Sequence, residues 1–211
     1  VAIDESLGKV LATLEEMGEL ENTVVIYSSD NGYFMGEHTF LDKRLAYENS
    51  MRVPMVIRYP ELIHKNTTVK QKCLNIDLAP TILNLAGLDI PNYMQGESMV
   101  DLLKGNDVDD WRDAILFEYF KDTYWPYAGP NQIAVRTDRY KLVDCFLKKD
   151  IDELYDLQTD PGEMTNLIND SSYDAVEQDL REQATLLKKQ FKYNPNRDWW
   201  LKKVMNSKRI K

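Results

Sequence analysis

The stretch that decides the fold is TVVIYSSDNGYFMGEHTFLDKRLAYENSMRVP, which runs from Thr23 to Pro54. It opens with the apolar, β-branched run 23–27, a composition typical of a short buried strand in a parallel sheet. The run ends at the sequence SSDNG, so Asp30 and Asn31 stand just past the carboxyl end of the strand. Open α/β sheets bind their ligands at that edge, and the stretch therefore predicts a site there.

Asp30 and Asn31 allow two interpretations. Asn31 and Gly32 form a dipeptide that is common in turns, so the pair could simply shape a β-turn. Their side-chain oxygens are also hard donors, which suit Ca2+ or Mg2+ and suit Zn2+ or Cu2+ poorly. Two such ligands do not complete a shell of about six to eight oxygens. A metal site at this position therefore needs further ligands from elsewhere.

A series of motif residues follows the strand in a fixed order. They are Ser29-Asp30-Asn31-Gly32, Gly36-Glu37-His38, Lys43, Tyr47-Glu48, Ser50 and Arg52-Val53-Pro54. Their order and spacing behind a strand resemble the sulfatase family, within the alkaline-phosphatase-like superfamily. The resemblance implies a divalent-metal hydrolase that cleaves sulfate esters with a formylglycine nucleophile. It also implies a periplasmic, secreted or lysosomal location.

The formylglycine of that family is made from a Cys or Ser in a C/S-x-P-S-R motif, which is not in this sequence. Cys73 is followed by Leu-Asn-Ile and Cys145 by Phe-Leu-Lys. We therefore expect the nucleophile and further metal ligands to lie in an N-terminal half outside this sequence. On that expectation the 211 residues are a fragment that is inactive by itself.

The resemblance assigns a role to each candidate site residue. Asp30 and Asn31 would hold Ca2+, or else Mg2+. Lys43 would hold a sulfate oxygen, where a fixed ammonium stabilises the negative charge that develops during ester cleavage. His38 would contact the substrate as a hydrogen-bond donor or proton shuttle. Outside the motif, Lys43 would be an ordinary solvated lysine and His38 a surface or core residue.

The remaining polar residues of the stretch are expected to shape the loop. Arg44 or Arg52 would pair with Glu37 or Glu48 and so fix the loop, and Tyr47 would support it. His64, the other of the two histidines, matches no motif and is expected at the surface.

Composition limits the partners. The net charge is −9, and no basic stripe appears before the C-terminal tail, so a nucleic acid is an unfavourable partner. No apolar run approaches the ~20 residues that span a membrane. Cys73 and Cys145 are far apart and are expected to be buried free thiols. The sequence does not indicate an oligomeric state.

The N-terminal part, residues 1–110, is predicted to be the second half of an α/β, alkaline-phosphatase-like sheet domain. A helix over 3–17 with one apolar face would cover the sheet and form half of a βαβ unit with the strand that follows. A second strand is predicted at 53–59. A helix is expected over 77–87, with Asp77 as N-cap, Pro80 in the first turn and Gly87 as the stop. The segment 77–87 resembles the family's D-x-x-P-T-x-L-x-L-A-G segment. A further short helix is expected at 97–103.

From residue 111 onward the pattern predicts a small α+β subdomain. Strands are expected at 114–120, 133–136, 140–143 and 153–157, followed by a helix at 174–193. Residues 135–142 read VRTDRYKL and residues 153–167 read ELYDLQTDPGEMTNL, and both resemble sulfatase segments. The expected fold is a small antiparallel sheet with a C-terminal helix against it, and it ends in a basic tail.

Two further segments carry open alternatives. The aromatic segment 121–130 includes Tyr124, Trp125 and Tyr127, which could stack on a glycan or fill the seam between subdomains. The tail 194–211 carries Trp199 and Trp200 with several basic residues. It could attract an acidic polysaccharide, or its tryptophans could dock on the body of the protein.

The sequence thus predicts a metal-dependent sulfuric ester hydrolase that acts on a sulfated glycan or a related sulfate ester. One alternative is a phosphodiesterase or phosphonate hydrolase of the same superfamily, which can share the Asp, His and Lys pattern. The other is a non-catalytic domain that binds a glycan or a partner protein. Nothing in the sequence fixes the sugar or the ester position.

Overall fold

The computed structural model describes residues 2–120, 130–145 and 151–193. The helices are α1 (Ala2–Glu16), α2 (Glu48–Met51), α3 (Leu78–Leu85), α4 (Val100–Leu103) and α5 (Asp174–Gln190). The strands are β1 (Val25–Ser28), β2 (Phe34–Met35), β3 (Leu41–Asp42), β4 (Met55–Arg58), β5 (Ile115–Tyr119), β6 (Gln132–Arg136), β7 (Tyr140–Cys145) and β8 (Glu153–Asp156). The aromatic residues of 121–129 and the tail 194–211 lie outside the described residues.

The described residues form two compact units. The first unit contains the described parts of 1–30 and 53–111, and the second contains those of 31–52 and 112–211. The predicted division into 1–110 and 111–211 differs from these units in one respect. Segment 31–52, which carries most of the motif residues, packs with the C-terminal sheet. Sequence order alone did not indicate this placement.

The first unit contains a two-stranded antiparallel sheet. β1 pairs with β4, with Val25 opposite Arg58 and Ser28 opposite Met55. The predicted parallel pairing of β1 is therefore wrong for the part of the chain that the structure describes, while α1 and β1 as half of a βαβ unit stays a prediction. An apolar run of four or five residues indicates burial, but it carries no information about the direction of the neighbouring strand.

Helix α1 forms where the apolar periodicity predicts it, with Asp4 and Glu5 in its first turn. None of its residues is buried, and the side chains of Ile3, Val10 and Met17 are more than half exposed. Leu7, Leu11 and Leu14 of the same face are half-buried, so the predicted apolar face is only partly covered among the described residues.

The core of the first unit lies under α3 and α4. Met99, Leu102, Leu103 and Trp111 form a buried cluster, against which Leu78 packs. Helix α3 ends as predicted, since Gly87 adopts a left-handed φ of 68° that suits glycine after a helix.

Asp77 occupies the predicted N-cap position of α3, but its side chain does not cap the helix. Its fully buried carboxylate accepts hydrogen bonds from the backbone N–H groups of Leu74 (2.7 Å) and Glu97 (2.9 Å). It makes no side-chain hydrogen bond to the first turn of α3. Asp77 instead joins the turn before α3 to the segment before α4.

The second unit is built on a four-stranded antiparallel sheet in the order β5-β6-β7-β8. Side chains alternate between its faces, as strand geometry requires. On one face Val135, Leu142 and Leu154 pack against Leu180 and Ala184 of α5. The predicted antiparallel sheet with a C-terminal helix against it is confirmed.

The opposite face of this sheet is covered by the motif segment. Ala134 and Val143, which are directly opposite each other in β6 and β7, are buried with Ala46. The backbone N–H of Ala46 also donates to the buried side-chain oxygen of Gln132 (3.0 Å). Segment 31–52 is therefore one layer of the second unit.

Three smaller expectations have clear outcomes. His64 is exposed, as predicted. Cys73 and Cys145 are both free thiols, but only Cys145 is buried while Cys73 is half-buried. Among the described residues, no helix is long and apolar enough to cross a membrane.

Asp156 gives a test of the second unit. Its carboxylate is 1% exposed and accepts hydrogen bonds from Arg139 Nε and Nη2, the latter at 2.8 Å. These bonds lower the pKa of Asp156 below its ordinary value of 3.8. The ionised carboxylate therefore stabilises the fold at neutral pH, and that contribution disappears as the pH falls through the lowered pKa.

We predict that Asp156→Asn lowers the free energy of unfolding at pH 7 and that its difference from the unmodified protein narrows as the pH falls through the lowered pKa of Asp156. Urea unfolding at several pH values measures this difference. Asp113→Asn, at an exposed position, is the control and should leave the free energy unchanged. A difference for Asp156→Asn that persists unchanged at low pH would contradict the account.

Candidate functional site

Asp30 stands exposed beyond the carboxyl end of β1, as predicted. The loop that carries it is fixed from outside, because the side-chain amide of Asn75 donates to the backbone carbonyls of Ser29 (3.1 Å) and Asp30 (2.9 Å). The hydroxyl of Ser28 also donates to the carbonyl of Pro54 (3.0 Å). Residue type and spacing did not single out Asn75, which lies just before the family-like segment at 77.

Asn31 follows Asp30 in the chain and is half-buried. Its side-chain nitrogen donates to the carbonyl of Gly32 (2.8 Å), so the donor end of the amide is used within the loop. A metal would use the oxygen end. Within the described parts of the chain, no group of three or more His, Cys, Asp and Glu side chains could hold a metal ion. The described residues therefore provide at most part of a metal shell.

Gly32 is required for close packing. A Cβ atom at this position would lie 2.0 Å from the carbonyl oxygen of Asn49 and 3.0 Å from that of Arg52. The backbone N–H of Gly32 donates to the carbonyl of Ser50 (2.8 Å). The Asn-Gly pair thus holds the loop against α2, whatever else Asn31 does.

His38 lies in a short 3-10 turn, Glu37–Thr39, between β2 and β3. The turn has left-handed backbone at His38 (φ 53°) and Thr39 (φ 61°), a conformation that is uncommon for residues other than glycine. Glu37 stabilises its start, because its carboxylate accepts from the backbone N–H of Met35 (2.6 Å). This bond and that to its own backbone lower the pKa of Glu37.

The His38 imidazole is half-buried and stacks on the Tyr47 ring, with centroids 4.1 Å apart and planes 28° apart. The buried Phe34 ring meets it edge-on at 6.2 Å. Lys43 follows β3 and is exposed. The residues on either side of it, Asp42 and Arg44, form an ion pair.

The strongest electrostatic feature of the second unit is centred on Lys141, whose side chain is 0% exposed. Its ammonium group contacts Glu48 Oε1 (3.2 Å) and forms an ion pair with the equally buried Glu163. Arg136 Nη2 contacts the other Glu48 oxygen at 3.2 Å. The carboxylate of Glu163 also accepts from the backbone N–H of Glu48 (2.7 Å). We call Glu48, Arg136, Lys141 and Glu163 the ion cluster.

The two carboxylates of the ion cluster respond differently to their surroundings. Burial raises the pKa of Glu163 despite the attraction of Lys141. Burial acts on Glu48 in the same direction, but Lys141 and Arg136 together outweigh it, so the pKa of Glu48 is lowered. Glu48 is therefore the carboxylate whose ionised form the cluster favours.

The ion cluster differs from the pairing that we expected for Glu48. Its described counter-ions are Arg136 and Lys141 of the C-terminal sheet, while Arg44 pairs with Asp42. The family-like segments at 135–142 and 153–167 were the available signal, since they contain Arg136, Lys141 and Glu163. Sequence spacing could not indicate that they meet Glu48, which lies 88 positions before Arg136, 93 before Lys141 and 115 before Glu163.

Comparison with known proteins identifies the family. Residues 36–190 match the family model described as N-sulphoglucosamine sulphohydrolase, C-terminal. The chain therefore belongs to this sulfatase family, and the predicted resemblance is confirmed.

Among curated relatives, an N-acetylglucosamine-6-O-sulfatase of Bacteroides thetaiotaomicron is 36% identical over 198 residues, which is 92% of this chain. The human N-acetylglucosamine-6-sulfatase is 41% identical over 121 residues, or 56% of this chain. The chain covers 35% of the length of the first and 22% of the second. It thus spans about a third or less of these relatives.

Solved structures confirm the predicted α/β, alkaline-phosphatase-like fold class. A protein solved with its substrate D-glucosamine-2-N,6-O-disulfate superposes with a TM-score of 0.87 at 35% identity, over 94% of this chain and 40% of the other. A phosphonate monoester hydrolase of Agrobacterium radiobacter superposes with a TM-score of 0.78 at 30% identity, over 90% of this chain and 39% of the other.

From the ion cluster we predict that substitution of two different lysines has very different effects on the stability of the protein. Lys141→Met should lower the free energy of unfolding by about 3–5 kcal/mol, because it leaves buried carboxylates without their shared cation. Lys188→Met is the control: Lys188 contacts Asp144 at 3.5 Å with both side chains partly exposed, so the loss should stay below about 1 kcal/mol. Chemical unfolding of both variants measures this. Equal losses would contradict the account.

The close packing at Gly32 leads to a prediction about the stability of two glycine variants. Gly32→Ala should destabilise the protein by about 1–3 kcal/mol, because the new methyl group meets backbone that cannot move aside easily. Gly8→Ala is the matched control, since Gly8 lies in α1 with nothing within 4 Å of an added Cβ. It should stabilise by about 0.5–1 kcal/mol. Thermal unfolding gives both values, and a neutral Gly32→Ala would show that the loop is not tightly packed.

Proposed function

We propose that this chain is part of a sulfatase that removes a sulfate ester from a glucosamine-type sugar, with the 6-O-sulfate as the first candidate. The observation that carries the proposal is the family membership of residues 36–190, a range that includes His38 and Lys43. The names of two relatives and the ligand of one superposed structure point to glucosamine 6-sulfates.

The proposed reaction breaks the bond between sulfur and the sugar oxygen, consumes one water and yields the sugar alcohol and inorganic sulfate. Negative charge develops on the sulfate oxygens and on the leaving sugar oxygen. Lys43 is exposed and cationic, so its ammonium can stabilise that charge. The leaving oxygen needs a proton, and the His38 imidazole is the group in this chain suited to deliver it.

Asp30 and Asn31 are proposed to hold Ca2+ or Mg2+. Their donor atoms fit these hard cations, and Asn75 holds the backbone of Asp30 in place. When bound, the metal would supply positive charge beside the sulfate. The remaining ligands and the formylglycine nucleophile are proposed to lie in the part of the relatives' length that this chain does not span.

A sulfated carbohydrate is accordingly the proposed partner, and a periplasmic, secreted or lysosomal compartment remains a proposal from the family. A phosphonate or phosphate ester hydrolase is the second candidate, because the phosphonate monoester hydrolase of Agrobacterium radiobacter superposes on 90% of this chain. The two candidates differ in the ester that is cleaved fastest.

The deciding assay uses the full-length protein with 6-O-sulfated N-acetylglucosamine and with a phosphate and a phosphonate ester of matched leaving group. We expect the highest kcat/KM for the sulfate ester. A higher kcat/KM for the phosphate or phosphonate ester would favour the second candidate. No turnover of any of the three esters would contradict both.

Lys43→Met should lower kcat/KM for the sulfate ester about 100- to 1,000-fold, as expected when a preorganised group that stabilises developing charge is removed. Lys70→Met, at an exposed position in the first unit, is the control and should keep full activity. An active Lys43→Met variant would remove Lys43 from the site.

Metal dependence has its own test. Incubation of the full-length protein with a chelator should abolish turnover, and added Ca2+ should restore it. Asp30→Ala should raise the Ca2+ concentration that half-restores activity, while Asp113→Ala, at an exposed position, should not. Full activity after exhaustive chelation would contradict the metal role of Asp30 and Asn31.

A further inference from the structure

The His38 imidazole is held by aromatic rings. Tyr47 lies against one face, with centroids 4.1 Å apart, and the edge of Phe34 closes a second side at 6.2 Å. Phe34 is only 1% exposed, and its ring also contacts that of Tyr47 at 5.9 Å. The orientation of the imidazole is therefore coupled to the position of the Tyr47 ring.

Tyr47 is in turn tied to strand β8. Its hydroxyl interacts with the side chains of Tyr155 and Glu153, and burial raises its pKa to about 12. The Tyr155 hydroxyl donates to Glu153 Oε2 (3.1 Å), and the Tyr155 ring lies 6.0 Å from that of Tyr47. Glu153, Tyr155 and Tyr47 thus form a polar tether at the far end of the Tyr47 ring.

The chain on either side of this contact is also constrained. Glu48, the next residue after Tyr47, is bound into the ion cluster by Lys141 and Arg136. His38 itself has the left-handed φ of 53°, which a residue other than glycine keeps only where its surroundings hold it. An imidazole on an uncommon backbone conformation therefore depends on Tyr47 for its direction.

We infer that Tyr47 is a positioning residue for His38, and that the Tyr155–Glu153 pair of β8 sets the position of Tyr47. The C-terminal sheet thereby controls the angle at which the imidazole is presented to the leaving oxygen. This inference rests on the proposed role of His38 in sulfate-ester cleavage. Tyr47 itself has no role in the chemistry, so it should act only through His38.

A double-mutant cycle in the full-length protein tests the dependence. Tyr47→Leu should lower kcat about 100-fold, as expected when a reacting group is misplaced by about 1 Å. Tyr47→Phe keeps the stacked ring but loses the hydroxyl that meets β8, so its kcat should lie between those of Tyr47→Leu and the unmodified protein. In a His38→Ala background, Tyr47→Leu should cause no further loss, because its effect passes through the imidazole. Losses that multiply in the double variant would overturn the inference.

Tyr155→Phe provides a second cycle if Tyr47→Leu does not fold. It removes one hydroxyl of the tether and leaves the ring in place. It should lower kcat in the unmodified protein and leave kcat of His38→Ala unchanged. A Tyr155→Phe variant with unchanged kcat, or with the same loss in both backgrounds, would overturn the role of the tether.

The position of the imidazole is measured separately by NMR of the full-length protein with isotope-labelled histidine. The His38 signal is identified by its loss in His38→Ala. Tyr47→Leu should shift this signal by removing the ring current, and Tyr47→Phe should leave it near its original position. An unmoved His38 signal in Tyr47→Leu would overturn the inference. Absence of ester hydrolysis would instead overturn the proposed function, and the NMR result would still decide whether Tyr47 stacks on His38 in solution.

Discussion

The buried ammonium of Lys141 is the constraint on which the second unit depends. A charged lysine without contact to water is costly unless opposite charges surround it. Glu163 and Glu48, which come from two distant parts of the unit's sequence, supply those opposite charges. Because Glu48 belongs to segment 31–52, neutralising Lys141 also fastens the motif segment to the sheet. The fold of the C-terminal strands and the placement of the motif residues are therefore parts of one electrostatic arrangement.

This arrangement gives the C-terminal sheet a role beyond packing. Arg136 and Lys141 hold Glu48, Gln132 holds the backbone of Ala46, and Tyr155 with Glu153 holds Tyr47. All three attachments lie on consecutive residues of the motif segment, Ala46 to Glu48, the last of which begins α2. A loop fixed at that many points can present His38 and Lys43 in one geometry, which is what electrostatic stabilisation of a transition state needs. The geometry of the motif segment thus depends on polar contacts that bridge distant parts of the sequence.

Much of the fold could be predicted from the sequence, because local periodicity determines it. The alternating pattern of 133–136 and 140–143 gave the β6–β7 hairpin, and the 3.6-residue period gave α1 and α5. The predicted parallel pairing of β1 was wrong, since a short apolar run does not encode the direction of the strand that pairs with it. The ion cluster, the Asn75 contact and the Tyr47–His38 stacking were also missed. Each joins residues whose meeting depends on tertiary packing, and residue types alone do not reveal it.

The most direct test of the account is a crystal structure of the full-length protein with a bound 6-O-sulfated glucosamine. The account predicts that Lys43 Nζ and an imidazole nitrogen of His38 lie within hydrogen-bonding distance of the sulfate group, with Tyr47 still stacked on His38. A sulfate bound away from both residues, with Lys43 directed into solvent, would contradict the proposed site.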